Sequence, residues 1–78
     1  MKKITAQKLS AAELVGRYRD DGAVVVRVIE TWPNGGCEVL MRREDGSEYD
    51  HGIDARDMTT QWFWTREHID VLRGRVGS

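Results

Sequence analysis

The chain has 78 residues, with 12 Lys and Arg against 13 Asp and Glu and a formal net charge of −1, so no global field draws it to nucleic acid or a membrane surface. A chain this short forms one small domain burying about 60–65% of its unfolded surface, which leaves no room for a deep substrate cavity beside a core and argues against an enzyme. Its single cysteine excludes an intrachain disulfide and fits a reducing cytoplasm, Met1-Lys2-Lys3 is followed by no apolar leader segment, and no apolar run is long enough for a membrane span.

Residues 1–9 read as an N-terminal arm with Ile4 as its apolar anchor, either frayed or a short edge strand. Residues 10–76 form the domain, and Gly77-Ser78 read as a cloning scar. Ser10 at the N-cap, Glu13 in the capping-box position and Leu9 with Leu14 as a hydrophobic staple predict a helix from Ala11 to Arg19. Its apolar stripe is Ala11, Leu14, Val15 and Tyr18, and Asp20-Asp21-Gly22 ends it.

Gly22 to Ile53 holds most of the β-forming residues. Ala23 to Ile29 is a β-branched run suited to a packed pleat. Asn34-Gly35, taken as a two-residue hairpin tip, sets Trp32 opposite Cys37, Glu30 opposite Val39, Val28 opposite Met41 and Val26 opposite Arg43. A second strand runs from Cys37 to Arg43. A three-residue loop at Glu44-Asp45-Gly46 then pairs Met41 with Tyr49, Val39 with His51, Cys37 with Ile53 and Arg42 with Glu48, keeping the apolar set on one side. The predicted core face is Val24, Val26, Val28, Trp32, Val39, Met41, Tyr49 and Ile53. Val25, Ile29 and Leu40 fall on the reverse face, with Arg27 beside Arg42.

Asp54 to Asp57 reads as a turn or single helical turn. Met58 to Trp64 reads as a fourth strand, with Thr60, Trp62 and Trp64 on one side and Thr59, Gln61 and Phe63 on the other. Thr65 caps a helix from Arg66 to Arg73 that stops at Gly74, with Ile69 and Leu72 inward and Val71 at the flank. The expected fold is α+β: a small, strongly twisted antiparallel sheet of three or four strands with an N-terminal and a C-terminal helix. The placing of Asp21-Gly22, the paired strands and Asp45-Gly46 resembles the layout of small SH3-like or Tudor-like barrels, a likeness that implies a fold and no function.

Cys37 and His51 lie diagonally on one face, a thiol and imidazole that could act as nucleophile and base, but no orienting residue or oxyanion donor completes them. His51, His68, Cys37 and the Asp residues lack the paired spacing of a structural metal site. Gly35-Gly36 leads into a strand and lacks the Lys-Ser/Thr of a phosphate loop. No catalytic residue, metal or cofactor is therefore expected.

Three tryptophans exceed what so small a core readily hides. The expected function is a non-catalytic, cytoplasmic binding or adaptor protein, with an aromatic surface at Trp62 and Trp64 for a protein partner or a homodimer. Trp32, Phe63 and His68 extend that surface, and Arg27 and Arg42 form its polar rim. The alternative is a single-stranded nucleic-acid-binding module in which these aromatics stack bases beside Lys2, Lys3, Lys8, Arg17, Arg19, Arg27, Arg42, Arg66, Arg73 and Arg75. Against it, Glu30, Glu38, Glu44 and Glu48 share the hairpins and oppose the field.

Overall fold

A computed structural model describes residues 6–72 and Gly74; the expectations for Lys2, Lys3, Ile4, Arg73, Arg75, Gly77, Ser78 and the Leu72 side chain lie outside the described residues. In chain order the elements are α1 (Ala11–Leu14), β1 (Val24–Thr31), β2 (Cys37–Arg42), β3 (Glu48–Ile53), a 3-10 turn (Ala55–Asp57) and α2 (Arg66–Leu72). The chain is α+β, with an open three-stranded antiparallel sheet in the order β1-β2-β3. Among the described residues no helix is long and apolar enough to cross a membrane.

The capping box forms as its spacing demands: the Ser10 hydroxyl accepts from the Glu13 N–H, and the Glu13 carboxylate accepts from the Ser10 N–H at 2.8 Å. Those bonds hold the Glu13 carboxyl below its ordinary pKa. The helix is one turn long, however, and does not reach Arg19. Gly16 takes φ +88°, a left-handed conformation that ends a helix, and its N–H turns to the Val25 carbonyl at 2.9 Å. Val15 is consequently exposed, and Arg17 to Arg19 run extended beside β1, where Tyr18 pairs with Val24.

The same reversal is then used at three places. Arg19 closes on Ala23 around Asp20-Asp21-Gly22, Trp32 on Gly36 around Pro33-Asn34-Gly35, and Arg43 on Ser47 around Glu44-Asp45-Gly46. In each, the first residue's N–H donates to the last residue's carbonyl at 2.8 Å, and the glycine N–H donates back to the first residue's carbonyl. The glycines take φ of 90°, 93° and 91°, and the preceding Asp21, Asn34 or Asp45 accepts the N–H two residues on at 2.9 Å.

At the third loop the expected register is correct: Cys37 faces Ile53, Val39 His51, Met41 Tyr49 and Arg42 Glu48, the last pair closing an ion pair at 2.8 Å. At the second loop it is not. A two-residue tip at Asn34-Gly35 would need an N–H from Pro33, which has none, and positive φ at Asn34, whereas no residue but glycine has positive φ here. The three-residue loop lets Trp32 donate instead, so Thr31, not Trp32, faces Cys37. The ladder then slips twice, between Glu30 and Val28 and between Arg27 and Val25, leaving Ile29 and Val26 as extra residues without a partner on β2. Each slip reverses the pleat, so Thr31, Val28 and Val25 fall on the same face at intervals of three.

That corrects the core face. Val25 is fully buried, whereas Val24 and Val26 are only half-buried, and Arg27 stands opposite Leu40 instead of beside Arg42. Leu9, Leu14, Ala23, Val25, Cys37, Val39, Met41, Ile53, Met58 and Phe63 make the core, with Val28 and Tyr49 packed at its margin. Trp32 lies on the outer face across two glycines. A Cβ on Gly36 would stand 2.9 Å from its ring and 2.6 Å from the Ile53 carbonyl, and one on Gly52 2.9 Å from the same indole. Glycine in these positions makes room for the indole.

Candidate functional site

The fourth strand expected over Met58 to Trp64 does not form. The segment starts from Asp54, whose carboxylate accepts the Arg56 N–H and caps the 3-10 turn. It is then pinned at three points by residues far away in the chain. Leu9 donates to the Met58 carbonyl at 2.8 Å, Thr60 to the Gln7 carbonyl at 3.0 Å, and Tyr18 and Trp64 exchange both backbone bonds at 2.8 and 2.9 Å. The N-terminal arm is thus used, as an edge partner at Gln7 to Leu9.

Between the last two pins the chain turns, with the N–H groups of Trp62 and Phe63 both reaching the Thr59 carbonyl at 3.2 Å. This turn breaks strand alternation and drives Phe63 inward. Phe63 is fully buried, so it leaves the expected binding surface and joins the core. Trp62 and Trp64 no longer share a side: they wall separate hollows.

Beside each tryptophan one hollow brings together an arginine and a histidine. Trp62, 41% exposed, shares a cleft of about 280 Å³ with Arg19, His51, Gly52, Ile53 and Asp57. Trp64 lies edge-on to His68, their ring centroids 6.4 Å apart, and with it lines two adjoining hollows of about 310 and 440 Å³. Arg17 borders the first of these and donates to the Phe63 carbonyl at 3.4 Å, while the Arg19 guanidinium lies 5.2 Å from the centre of the Phe63 ring. The two arginines therefore reach Phe63 from one extended segment, on the sides of Trp64 and Trp62 respectively.

Three other expected site residues are not brought here. Trp32 covers Gly36 and Gly52 on the sheet's outer face and donates its indole N–H to Glu30 at 3.1 Å. Arg27 and Arg42 are exposed on that outer face, and neither lines the hollows of Trp62 or Trp64. The residues the structure adds to the tryptophan sites are Arg17 and Arg19, expected on a helix and only in the nucleic-acid reading, and His51, expected only in company with Cys37. Their signal was present: arginines two apart just after Gly16, matched by tryptophans two apart before α2. Read as helix, Arg17 and Arg19 pointed in unrelated directions.

The titratable groups follow from these surroundings. Burial pushes the Cys37 thiol above its ordinary pKa. His51 is held below its ordinary value, first by burial and then by Arg19, with Asp21 opposing. Its Nε2 stands 3.2 Å from Arg19 Nη1, so the ring accepts there and carries its proton on Nδ1. Nε2, the ring's acceptor, is engaged by a cation rather than by Cys37. Among the described residues no three His, Cys, Asp or Glu side chains gather as a metal site. Compared with known protein families, curated proteins and solved structures, the chain matches none.

Proposed function

We propose that the protein is a small non-catalytic binding module that holds a protein partner, a second copy of itself in the simplest case, on the surface around Trp64. The observation that carries this reading is the way Trp64 is held. Its backbone is clamped to Tyr18 by two hydrogen bonds and its indole is braced by His68, yet it walls two adjoining hollows. An apolar side chain entering there meets an indole already ordered, and so loses little of its binding free energy to immobilising the receptor. Thr60, Gln61 and Thr65 supply hydroxyl and amide groups around the hollows, as a polar rim requires. A cytoplasmic setting suits the free Cys37, and the rungs that Tyr18 forms with Val24 and Trp64 favour reading the sheet as a small SH3-like curl.

Size-exclusion chromatography with light scattering on the wild type and Trp64→Ala tests this, with circular dichroism to check that the variant folds. A dimer that weakens in the variant is expected. A monomer in both removes self-association. A second reading, single-stranded nucleic acid, is favoured by one observation: an arginine stands beside each of the two tryptophans. Titration with single-stranded oligonucleotides should then show binding that weakens steeply with salt, and no binding at low salt removes it.

A further inference from the structure

The cleft of Trp62 is separate from the Trp64 surface and has its own chemistry. Gly16 ends α1 early, so Arg19 falls two residues after Arg17 on an extended segment and lies over Phe63 at the core's edge. There Arg19 is half-buried, and among the described residues it makes no ion pair; its side-chain hydrogen-bonding partner is His51. A partly desolvated guanidinium is ordinarily matched by a carboxylate, because a neutral imidazole returns only part of the lost hydration. One of its five N–H donors goes to His51, and the others remain for a ligand. Trp62 supplies a flat apolar wall, and Asp57 contributes an acceptor to the same cleft.

We propose that this cleft binds a small molecule carrying an oxyanion, a carboxylate or phosphate, on a flat body. The oxyanion meets Arg19 as a charge-assisted, fork-shaped pair. The flat body stacks on Trp62. An N–H or O–H donor elsewhere on the ligand satisfies Asp57, which would repel a ligand that is anionic throughout. The volume of about 280 Å³ suits a molecule with one ring. Bound negative charge offsets Arg19, one of the two causes that hold His51 below its ordinary value; Asp21 already acts in that direction, Asp57 faces the same cleft, and Tyr49 lies edge-on to the ring at 6.3 Å. His51 should therefore titrate at higher pH when the cleft is filled.

Nuclear magnetic resonance titration of the full chain with 4-hydroxybenzoate follows the Gly52 amide and the His51 ring. Inorganic phosphate is the second arm, and uncharged 4-hydroxybenzyl alcohol the control. Saturable shifts at Gly52 and His51 are expected, with a His51 titration moved upward. The alcohol should bind at least about tenfold more weakly, the scale of one charge-assisted hydrogen bond. Arg19→Gln should lose the same factor, while Arg19→Lys keeps part of it and Arg27→Gln keeps all. Tighter binding by phosphate than by the benzoate would assign the oxyanion to a phosphate. Equal affinity for acid and alcohol, an Arg19→Gln protein that is folded and binds normally, or no shift with either anion would overturn the proposal. None of these readouts depends on the oligomeric state, so this test and that of the Trp64 surface fail separately.

Discussion

From Arg17 to Ile53 every reversal of the chain is made by neighbours in sequence: Asp21-Gly22, Asn34-Gly35 and Asp45-Gly46 close three loops of one design. From Asp54 to Trp64 the chain depends on distant partners, Leu9 for Met58, Gln7 for Thr60 and Tyr18 for Trp64. The first region is a meander that its own turns specify. The second is a wall whose shape exists only once the meander is there to receive Phe63. The two candidate clefts lie along this seam, with arginines from the meander's first segment and tryptophans from the wall. Binding at either cleft therefore senses whether the seam is closed.

Removing the plug should break the seam most severely. Phe63 is fully buried, so Phe63→Ala should cost about 3–5 kcal/mol, comparable to the whole stability of a domain this size. Circular dichroism at room temperature should find that variant largely unfolded. Its neighbour Trp62 is 41% exposed, and Trp62→Ala should leave a folded protein whose urea midpoint moves little. Similar losses from both substitutions would mean that the wall is not polarised as described.

The contrast between the regions also explains what could be read from the amino-acid sequence. The three Asp-Gly or Asn-Gly pairs were visible, and so were Ser10 with Glu13, the β2–β3 register and the turn at Asp54. Each depends on residues within a few positions. The first hairpin differs from its expected register because Asn34-Gly35 is a strong two-residue signal on its own, and only the missing N–H of Pro33 rules it out. The slips at Ile29 and Val26 left no local mark in a run of β-branched residues that all favour a strand. Phe63 belongs on a surface if Trp62-Phe63-Trp64 follows its strand propensity, yet it is buried. What overrides that propensity is pairing with Tyr18 and Gln7, which no local window contains.

Glycines under Trp32 give the next largest effect. A Cβ at Gly36 meets both the Ile53 carbonyl at 2.6 Å and the indole at 2.9 Å, so Gly36→Ala should cost about 2–3 kcal/mol whether or not the tryptophan is present. At Gly52 the indole is the sole close neighbour. Gly52→Ala should therefore cost about 1 kcal/mol in the wild type and nothing in a Trp32→Ala background, where alanine regains the strand preference glycine lacks. Urea denaturation of the double-mutant cycle measures this. Equal penalties in both backgrounds would show that Trp32 does not lie across Gly52.

Turn glycines come next, and here the prediction is sameness. Gly22, Gly35 and Gly46 share φ near 90°, so alanine at each should cost about 1–2 kcal/mol through the left-handed backbone alone. Gly46 has open space around it, and Gly46→Asn should recover much of the loss because asparagine tolerates that conformation. A cost at Gly46 far from that at Gly22 would mean that the loops are not equivalent.

The smallest expected effect lies where the two regions meet. Burial and Arg19 hold folded His51 below its ordinary pKa of 6.5. As pH falls, the unfolded chain takes up this proton first, so it binds more protons than the folded chain, and stability must fall with pH. The contribution is complete above the unfolded pKa, begins to fade as pH drops through it, and is fully lost below the folded pKa. Urea midpoints at about pH 7.5, 6.5 and 5.5, bracketing the ordinary histidine range, should decline in the wild type more than in His51→Gln. Protonation also sets a second positive charge 3.2 Å from Arg19 Nη1, so the loss should be accompanied by opening at the Trp62 cleft, seen as a change in indole fluorescence that Trp62→Phe removes. A midpoint that falls equally with and without His51 would place the pH sensitivity in the carboxylates of the meander instead of at the seam.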